Sequence, residues 1–331
     1  MLVPLSGFMT NLPLSALVLS REVASLGADP GGLRRAWSRG ELVRVRRGAY
    51  LPSGEWGALG VEARHVLTAV AAVRVCRSRV VLSHVSAALL HGCPLLGAPP
   101  RDVHVSVPEA GGSRREHGFV KHARDLDDDA VVHVHGVPTV ALATALVDVA
   151  VSEPFERAVA MVDHALCGGL VTKEALLAEF DRRGTDRGRR RVRAVVTFAS
   201  PLAQSPLESS SRVGVRRLGF PDPELQHEFY RDGRFVARVD FWWPAVGVVG
   251  EADGAAKYDD PELRAGRTGL QVLHDEKRRE DDVRELSEVR GLARWGWPHT
   301  RDLETLRQKL ERAGLQPVRA SSSWPGVRER P

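Results

Sequence analysis

Cysteine is scarce in this chain. Cys76, Cys93 and Cys167 lie far apart, with no CxxC pair and no Cys/His ligand spacing. That excludes a disulfide framework and a structural zinc knot, and leaves reduced thiols. Long apolar runs are missing as well. None approaches the ~18 residues that a membrane span needs, and the nearest, residues 139–151, is interrupted by Asp148. The N-terminus lacks a basic region followed by an apolar core and a cleavage site, so a cytoplasmic protein without a membrane partner is expected. Lysine is sparse too, and the basic residues are mostly arginine.

What is present is globular. A chain of 331 residues with 43% hydrophobic and 27% charged content exceeds one ordinary core, so two or three domains are expected. The formal charge is +5 and the isoelectric point about 9.4. An arginine-heavy excess suits a polyanion, because the guanidinium fork grips phosphate and guanine edges. Compositional bias of the genome produces the same excess.

Residues 234–258 read as two short strands joined by a tight turn. Phe235, Ala237, Val239 and Phe241 alternate with more polar positions, and Pro244 ends the run. The apolar run 246–249 follows and ends on Glu251, after which Asp253-Gly254 turns the chain. Antiparallel pairing across so short a turn brings Asp240 near Glu251, with Asp253 and Lys257 close by. Clustered carboxylates resist desolvation unless a cation neutralises them. Mg²⁺ is the natural choice, since it takes one or two carboxylates plus phosphate oxygens.

Asp240 followed by Glu251 in a second strand resembles the metal site of the PD-(D/E)xK restriction-endonuclease-like fold. RVDF (238–241) and EADG (251–254) resemble its very-short-patch-repair-like branch, and Glu208 of SPLES (205–209) matches the acidic residue of that fold's first helix. The resemblance implies metal ligands at Glu208, Asp240 and Glu251, with Asp253 assisting. The pattern places Lys two residues after Glu251, where this chain has Asp253, so Lys257 or Lys277 would supply the ammonium.

Near the N-terminus, residues 14–26 carry apolar side chains at helical spacing, with a Ser20 cap opening a helix. A turn, a short basic helix over 33–39 ending at Gly40, and a ribbon over 42–52 follow. Helix, turn, basic helix and basic ribbon are the parts of a winged helix-turn-helix, which lays its second helix in the major groove and its wing on the backbone. Arg34, Arg35 and Arg39 on the helix and Arg44, Arg46 and Arg47 on the ribbon are the candidate DNA contacts; arginines that merely solvate a ribbon are the plainer alternative. GELVRVRRGAY (40–50) resembles the signature of AbiEi-type antitoxins.

The middle region opens with an Ala/Val-rich helix over 61–75. SHVSAALLHG (83–92) then resembles a helix of the same antitoxin-like proteins. His84 and His91, seven apart, share a helix face, but no third metal ligand stands at suitable spacing, so a capping or packing role is expected. Segments 102–108, 118–122 and 131–138 alternate as strands, with His104, His133 and His135 on solvated faces. Asp125-Leu-Asp-Asp-Asp reads as an exposed turn. Thr144 and Asp148 match the family's Arg-Thr-x-x-x-Asp, although Ala143 replaces the arginine. Arg189, Arg190 and Arg191 belong to the strongest charge run, which could neutralise phosphates or pair with acidic neighbours.

After a strand over 224–230, the hairpin and a charged helix from Asp275, a final strand over 291–297 and a helix over 302–312 close the chain. The recurrence of EKxREDxxR (276–284) in the resembled family implies site roles for Lys277, Arg278 and Asp281. The expected class is α/β (α+β overall), with a winged helix-turn-helix (1–56) and an α+β middle region (57–198). A restriction-endonuclease-like mixed sheet flanked by helices (199–315) and a disordered tail (316–331) complete it. Two functions compete: a Mg²⁺-dependent DNA endonuclease guided by the winged helix, and an antitoxin-like regulator that binds DNA without cutting it. The second adds a toxin protein as a candidate partner.

Overall fold

Local sequence decides most elements of the computed structural model, which describes residues 12–108, 112–124, 130–253, 278–279 and 281–318. The chain divides into a first unit, Met1–Pro201, and a second, Leu202–Pro331.

In the first unit, strand β1 (Val18–Leu19) leads into helix α1 (Ser20–Ser25), which Gly27 terminates at φ 76°. Of the segment 14–26, Leu14–Ala16 form a short 3-10 turn and Ser20–Ser25 the helix, whose first residue is Ser20 with Leu19 in the cap position. Val18 and Leu19 pair with Tyr50 and Ala49, their backbone adding a third strand to a small sheet. Helix α2 (Gly31–Ser38) precedes the hairpin of β2 (Leu42–Arg46) and β3 (Ala49–Pro52), and the sheet order is β1-β3-β2. Strand, two helices and a two-stranded ribbon in this order are compatible with a winged helix.

Helices α3 (Ser53–Ala58) and α4 (Val61–Val75) follow, then β4 (Val81–Leu82) and α5 (His84–Leu90). Among the described residues a six-stranded sheet has the order β6-β7-β5-β4-β9-β8, with β5 (Val103–Val107), β6 (Arg114–Glu116), β7 (Phe119–Ala123), β8 (Val131–Val134) and β9 (Val137–Val140). The β4–β9 and β5–β7 pairs are parallel and the others antiparallel. The single strand expected over 131–138 is a hairpin. His135 and Gly136 sit at φ 51° and 72°, the two positive values that a tight two-residue turn requires. Helices α6 (Leu142–Ser152), α7 (Phe155–Cys167), α8 (Lys173–Arg182) and α9 (Arg189–Phe198) complete the unit. The Thr172 hydroxyl accepts the Ala175 amide at 3.1 Å and caps α8.

The second unit begins with α10 (Pro206–Arg217), then β10 (Glu224–Arg231), β11 (Arg234–Trp243), β12 (Val248–Ala252) and β13 (Gly291–Trp295), and ends with α11 (Trp297–Arg301) and α12 (Leu303–Arg312). The sheet order is β10-β11-β12-β13, antiparallel except for the parallel β12–β13 pair. Both faces are covered. Phe241, Trp243, Val248 and Trp295 pack with Leu207, Leu306 and Leu310 on one side, and Val239, Trp242 and Val249 with Val283 and Leu286 on the other. Such two-sided burial explains why β12 is buried throughout and apolar except at Glu251.

Gly250 is required by that packing. A Cβ there would lie 2.6 Å from Cη2 of Trp295 and 3.0 Å from Cζ3 of Trp243. Gly250→Ala should therefore lower the stability of the second unit by about 1–3 kcal/mol in urea unfolding. An unchanged midpoint would show that the rings yield freely.

No described helix is long and apolar enough to cross a membrane. Lys257 and Lys277, the Asp125-Leu-Asp-Asp-Asp stretch and residues 319–331 of the tail lie outside the described residues.

Candidate functional sites

The carboxylate site of the second unit is built by the register of β11 on β12. Trp242 faces Val249 and Phe241 faces Gly250, so the next step sets Asp240 opposite Glu251. Helix α10 brings Glu208 to the same place. Its cap is reciprocal: the Ser205 hydroxyl accepts the Glu208 amide at 3.2 Å and donates to the Glu208 carboxylate at 2.8 Å. The Gln204 amide donates to Glu208 Oε2 at 2.9 Å.

One side chain joins the two acids. Gln226 Nε2 lies 3.0 Å from Glu208 Oε2 and 3.2 Å from Asp240 Oδ1, while Asp240 Oδ2 accepts the Ala252 amide at 2.9 Å. Gln226 holds φ 53°, a left-handed conformation that costs a non-glycine residue about 1–2 kcal/mol. Strain of this kind persists where surrounding contacts over-determine it.

Burial, reinforced by the charge of Asp240, pushes Glu208 up to about 7. The same two causes push Glu251 up to about 7, against the opposing pull of Arg279. Arg279 Nη2 donates to Glu251 Oε1 at 2.8 Å and to the Arg238 carbonyl at 3.0 Å. Of the residues expected here, Asp240, Glu251 and Glu208 are neighbours, but their oxygens do not all come within 4.8 Å of one another. Asp253 turns to Arg294 at 2.9 Å. Arg279 went unrecognised beside Lys277, Arg278 and Asp281, because a run of charges gives no clue to which one faces inward.

These shifts predict a pH dependence. An acid raised above its unfolded value of 4.5 holds a proton in the native state that the unfolded chain has released. Its stabilising contribution is complete below about 4.5 and is lost as pH rises through about 7. Thermal melts of the second unit's transition should therefore run higher at pH 5.5 than at pH 7.5, and Glu208→Gln should flatten the difference. A Glu208→Gln melt as steep in pH as the wild type would contradict the assignment.

The donor set, hard carboxylate oxygens in a buried and charge-deficient cluster, fits Mg²⁺ in type. Within the structure the same need is met by the Gln226 amide and the Arg279 guanidinium.

The candidate nucleic-acid face lies on α2 and the ribbon. Arg34, Arg35, Arg39, Arg44 and Arg47 are exposed. Arg35 is paired with Asp29 at 2.9 Å and Arg39 with Glu41 at 2.6 Å. The Arg44 guanidinium stands 4.4 Å over the half-exposed Trp37 ring. Arg46 turns inward: its guanidinium lies 4.1 Å from the Phe119 ring and donates to the His117 carbonyl at 2.7 Å. In the later run, Arg189 pairs with Asp181 and Asp186 at 2.8 Å each, Arg191 donates to the Glu153 carbonyl, and Arg190 is exposed.

A cleft of about 540 Å³ opens in the middle of the first unit, lined in part by His84, His122, Arg124, Asp148, Arg183 and Arg187. Asp148 anchors it. Arg124 Nη1 donates to its Oδ2 at 3.0 Å and Arg183 Nη1 to its Oδ1 at 2.8 Å. Burial opposes the charge of Asp148, but His84 and the two guanidiniums outweigh it and hold the carboxyl below its ordinary range. The guanidiniums on Asp148 come from the residues that follow β7 and α8, Arg124 and Arg183.

His91 Nε2 donates to the Val140 carbonyl, 2.8 Å away, and plays the packing role expected. His133 and His135 are exposed, but His104 is half-buried beside His84 and His122 rather than on a solvated face. Burial is the first cause that lowers all three, His84 to about 3 and His104 to about 4.

Comparison with known proteins is informative at the N-terminus. Residues 16–53 match a family described as a transcriptional regulator, the AbiEi antitoxin. The uncharacterized proteins MT2308 and Rv2248, from Mycobacterium tuberculosis strains CDC 1551 and H37Rv, are each 32% identical over 126 residues. That match covers 37% of this chain and 42% of the length of each relative. The crystal structure of the RV2827C protein from Mycobacterium tuberculosis aligns over 70% of this chain and 94% of that one at 15% identity. Its TM-score of 0.36 is too low to carry an argument about fold.

Proposed function

We propose that the chain is a DNA-binding transcriptional regulator of the AbiEi antitoxin kind. The observation that carries this reading is the match of residues 16–53 to that family, on a segment whose helix and ribbon expose Arg34, Arg44 and Arg47. Exposed guanidiniums on a helix and an adjoining wing are suited to phosphate contacts flanking a groove-bound helix. A regulator of this kind acts on the promoter of its own operon, where a toxin protein would be its co-encoded partner. A reporter driven by that promoter tests the proposal. Repression by the wild-type chain that is relieved in the Arg34→Ala, Arg44→Ala, Arg47→Ala triple variant supports it; equal expression with and without the chain overturns it.

The proximity of Glu208, Asp240 and Glu251 favours a second reading for the second unit. Its order of one helix, three antiparallel strands and a parallel fourth strand supports this reading, in which the three acids would stand for the ligands of the resembled restriction-endonuclease-like fold. In this reading Glu208, Asp240 and Glu251 would hold Mg²⁺, which supplies charge neutralisation at phosphate and an activated water. Gln226 orients Glu208 against Asp240. Arg279 neutralises Glu251 and holds it in place. The Asp253–Arg294 pair puts no ammonium at the position where the fold has lysine. Plasmid nicking with Mg²⁺ or Mn²⁺ decides the matter. Cleavage by the wild type that is lost in Asp240→Ala assigns a nuclease, and cleavage by both proteins or by neither removes it.

A further inference from the structure

Three imidazoles meet beside the cleft of the first unit, and none belongs to the DNA-binding or carboxylate sites. His84 opens α5, His104 lies on β5 and His122 on β7. The parallel pairing of β5 with β7 sets Ser106 opposite His122, and His104, two residues back, points to the same face. One nitrogen from each ring lies within 4.8 Å of the other two. Among the described residues this set alone offers three such donors.

The distances suit a common ion. His104 Nδ1 and His122 Nε2 are 3.2 Å apart. Two metal–nitrogen bonds of ~2.1 Å at a tetrahedral angle separate their nitrogens by ~3.4 Å. The His84 ring stacks on His122 with centroids 3.6 Å apart and planes 16° from parallel, so one of the two rings must tilt for both in-plane lone pairs to meet one ion.

Two of the outer nitrogens are already occupied. His84 Nδ1 faces Ser83 Oγ at 3.1 Å and Asp148 Oδ2 at 3.4 Å, and His122 Nδ1 faces Ser113 Oγ at 3.3 Å. A carboxylate or hydroxyl on one ring nitrogen fixes the tautomer and leaves the other to ligate, which is the usual outer shell of a histidine metal site. His84 also holds a φ of 53°, so the chain accepts backbone strain to place this ring.

We infer that His84, His104 and His122 form a binding site for a divalent transition metal of the zinc class, with Asp148 orienting His84. Three imidazoles leave a fourth position, which opens on the cleft of about 540 Å³ that His84 and His122 line. Water or an anion from the cleft completes the shell.

The test uses the full chain, stripped with chelator and titrated with Co²⁺ and then Zn²⁺. One equivalent of Co²⁺ should bind, give visible ligand-field absorption and be displaced by Zn²⁺. His104→Ala and His122→Ala should each weaken binding at least tenfold, while His133→Ala and His135→Ala, on exposed positions, should leave it unchanged. Circular dichroism of each metal-free variant separates lost binding from lost fold. X-ray absorption on the Zn²⁺-loaded wild type requires no variant: a shell of three imidazoles supports the site. Failure of the wild type to take up either ion, a shell with fewer than three imidazoles, or wild-type affinity in the folded His104→Ala and His122→Ala variants would overturn it.

Discussion

Asp148→Ala should cost the first unit about 3–5 kcal/mol of stability, read as a shift in its urea midpoint. The side chain is 2% exposed and accepts from Arg124 and Arg183, themselves 23% and 16% exposed. Its removal leaves two poorly solvated cations facing each other, with Glu179 beside Arg183 as the remaining counter-charge. Breaking a buried pair from one side is expensive because the remaining charge has lost its compensation and cannot recover its water. Arg183 would keep only the Thr144 carbonyl at 2.9 Å and Glu179 at 3.3 Å. Asp148→Asn keeps the volume and some acceptor capacity but removes the charge, so it should lie between the wild type and alanine. A midpoint shift worth less than about 1 kcal/mol for alanine would mean that Arg124 and Arg183 reach solvent when released.

The second large effect is on DNA binding. Arg34→Ala, Arg44→Ala and Arg47→Ala together should make the slope of log affinity against log salt shallower by about 3, close to 0.9 for each phosphate contact. At 0.15 M salt that corresponds to about a hundredfold loss of affinity. Arg46→Ala provides the contrast. Its guanidinium is committed to Phe119 and the His117 carbonyl, so its loss should lower stability and leave the salt slope near the wild-type value. Fluorescence anisotropy of labelled duplex DNA across a salt series reads both quantities. A triple variant with the wild-type slope would move the DNA contacts away from this face.

Short-range pattern made much of the second unit legible in the sequence. Alternation marked β10 and β11, the apolar run marked β12, and the short turn between them was enough to set Asp240 against Glu251. Glu208 was placed only by the resemblance of SPLES (205–209), and the Ser205 cap that starts α10 emerged with the structure. The amphipathic run over Val61–Val75 was equally plain.

What escaped depended on contacts between distant segments. His104 and His122 become neighbours only through the parallel pairing of β5 and β7, and alternation alone cannot say which strands pair. His84 joins them from a helix start. Val18 and Leu19 looked helical because their spacing satisfies both periods, and β3 decided the matter. Arg46 alternated with Arg44 and looked solvated until Phe119 covered it.

The central claim is recognition of specific DNA by the N-terminal segment, and competition binding of the full chain tests it most directly. At 0.15 M salt the chain should bind the duplex upstream of its own coding region at least about a thousandfold tighter than a scrambled duplex of equal length. Equal affinity for the two duplexes, or no binding to either, would contradict it.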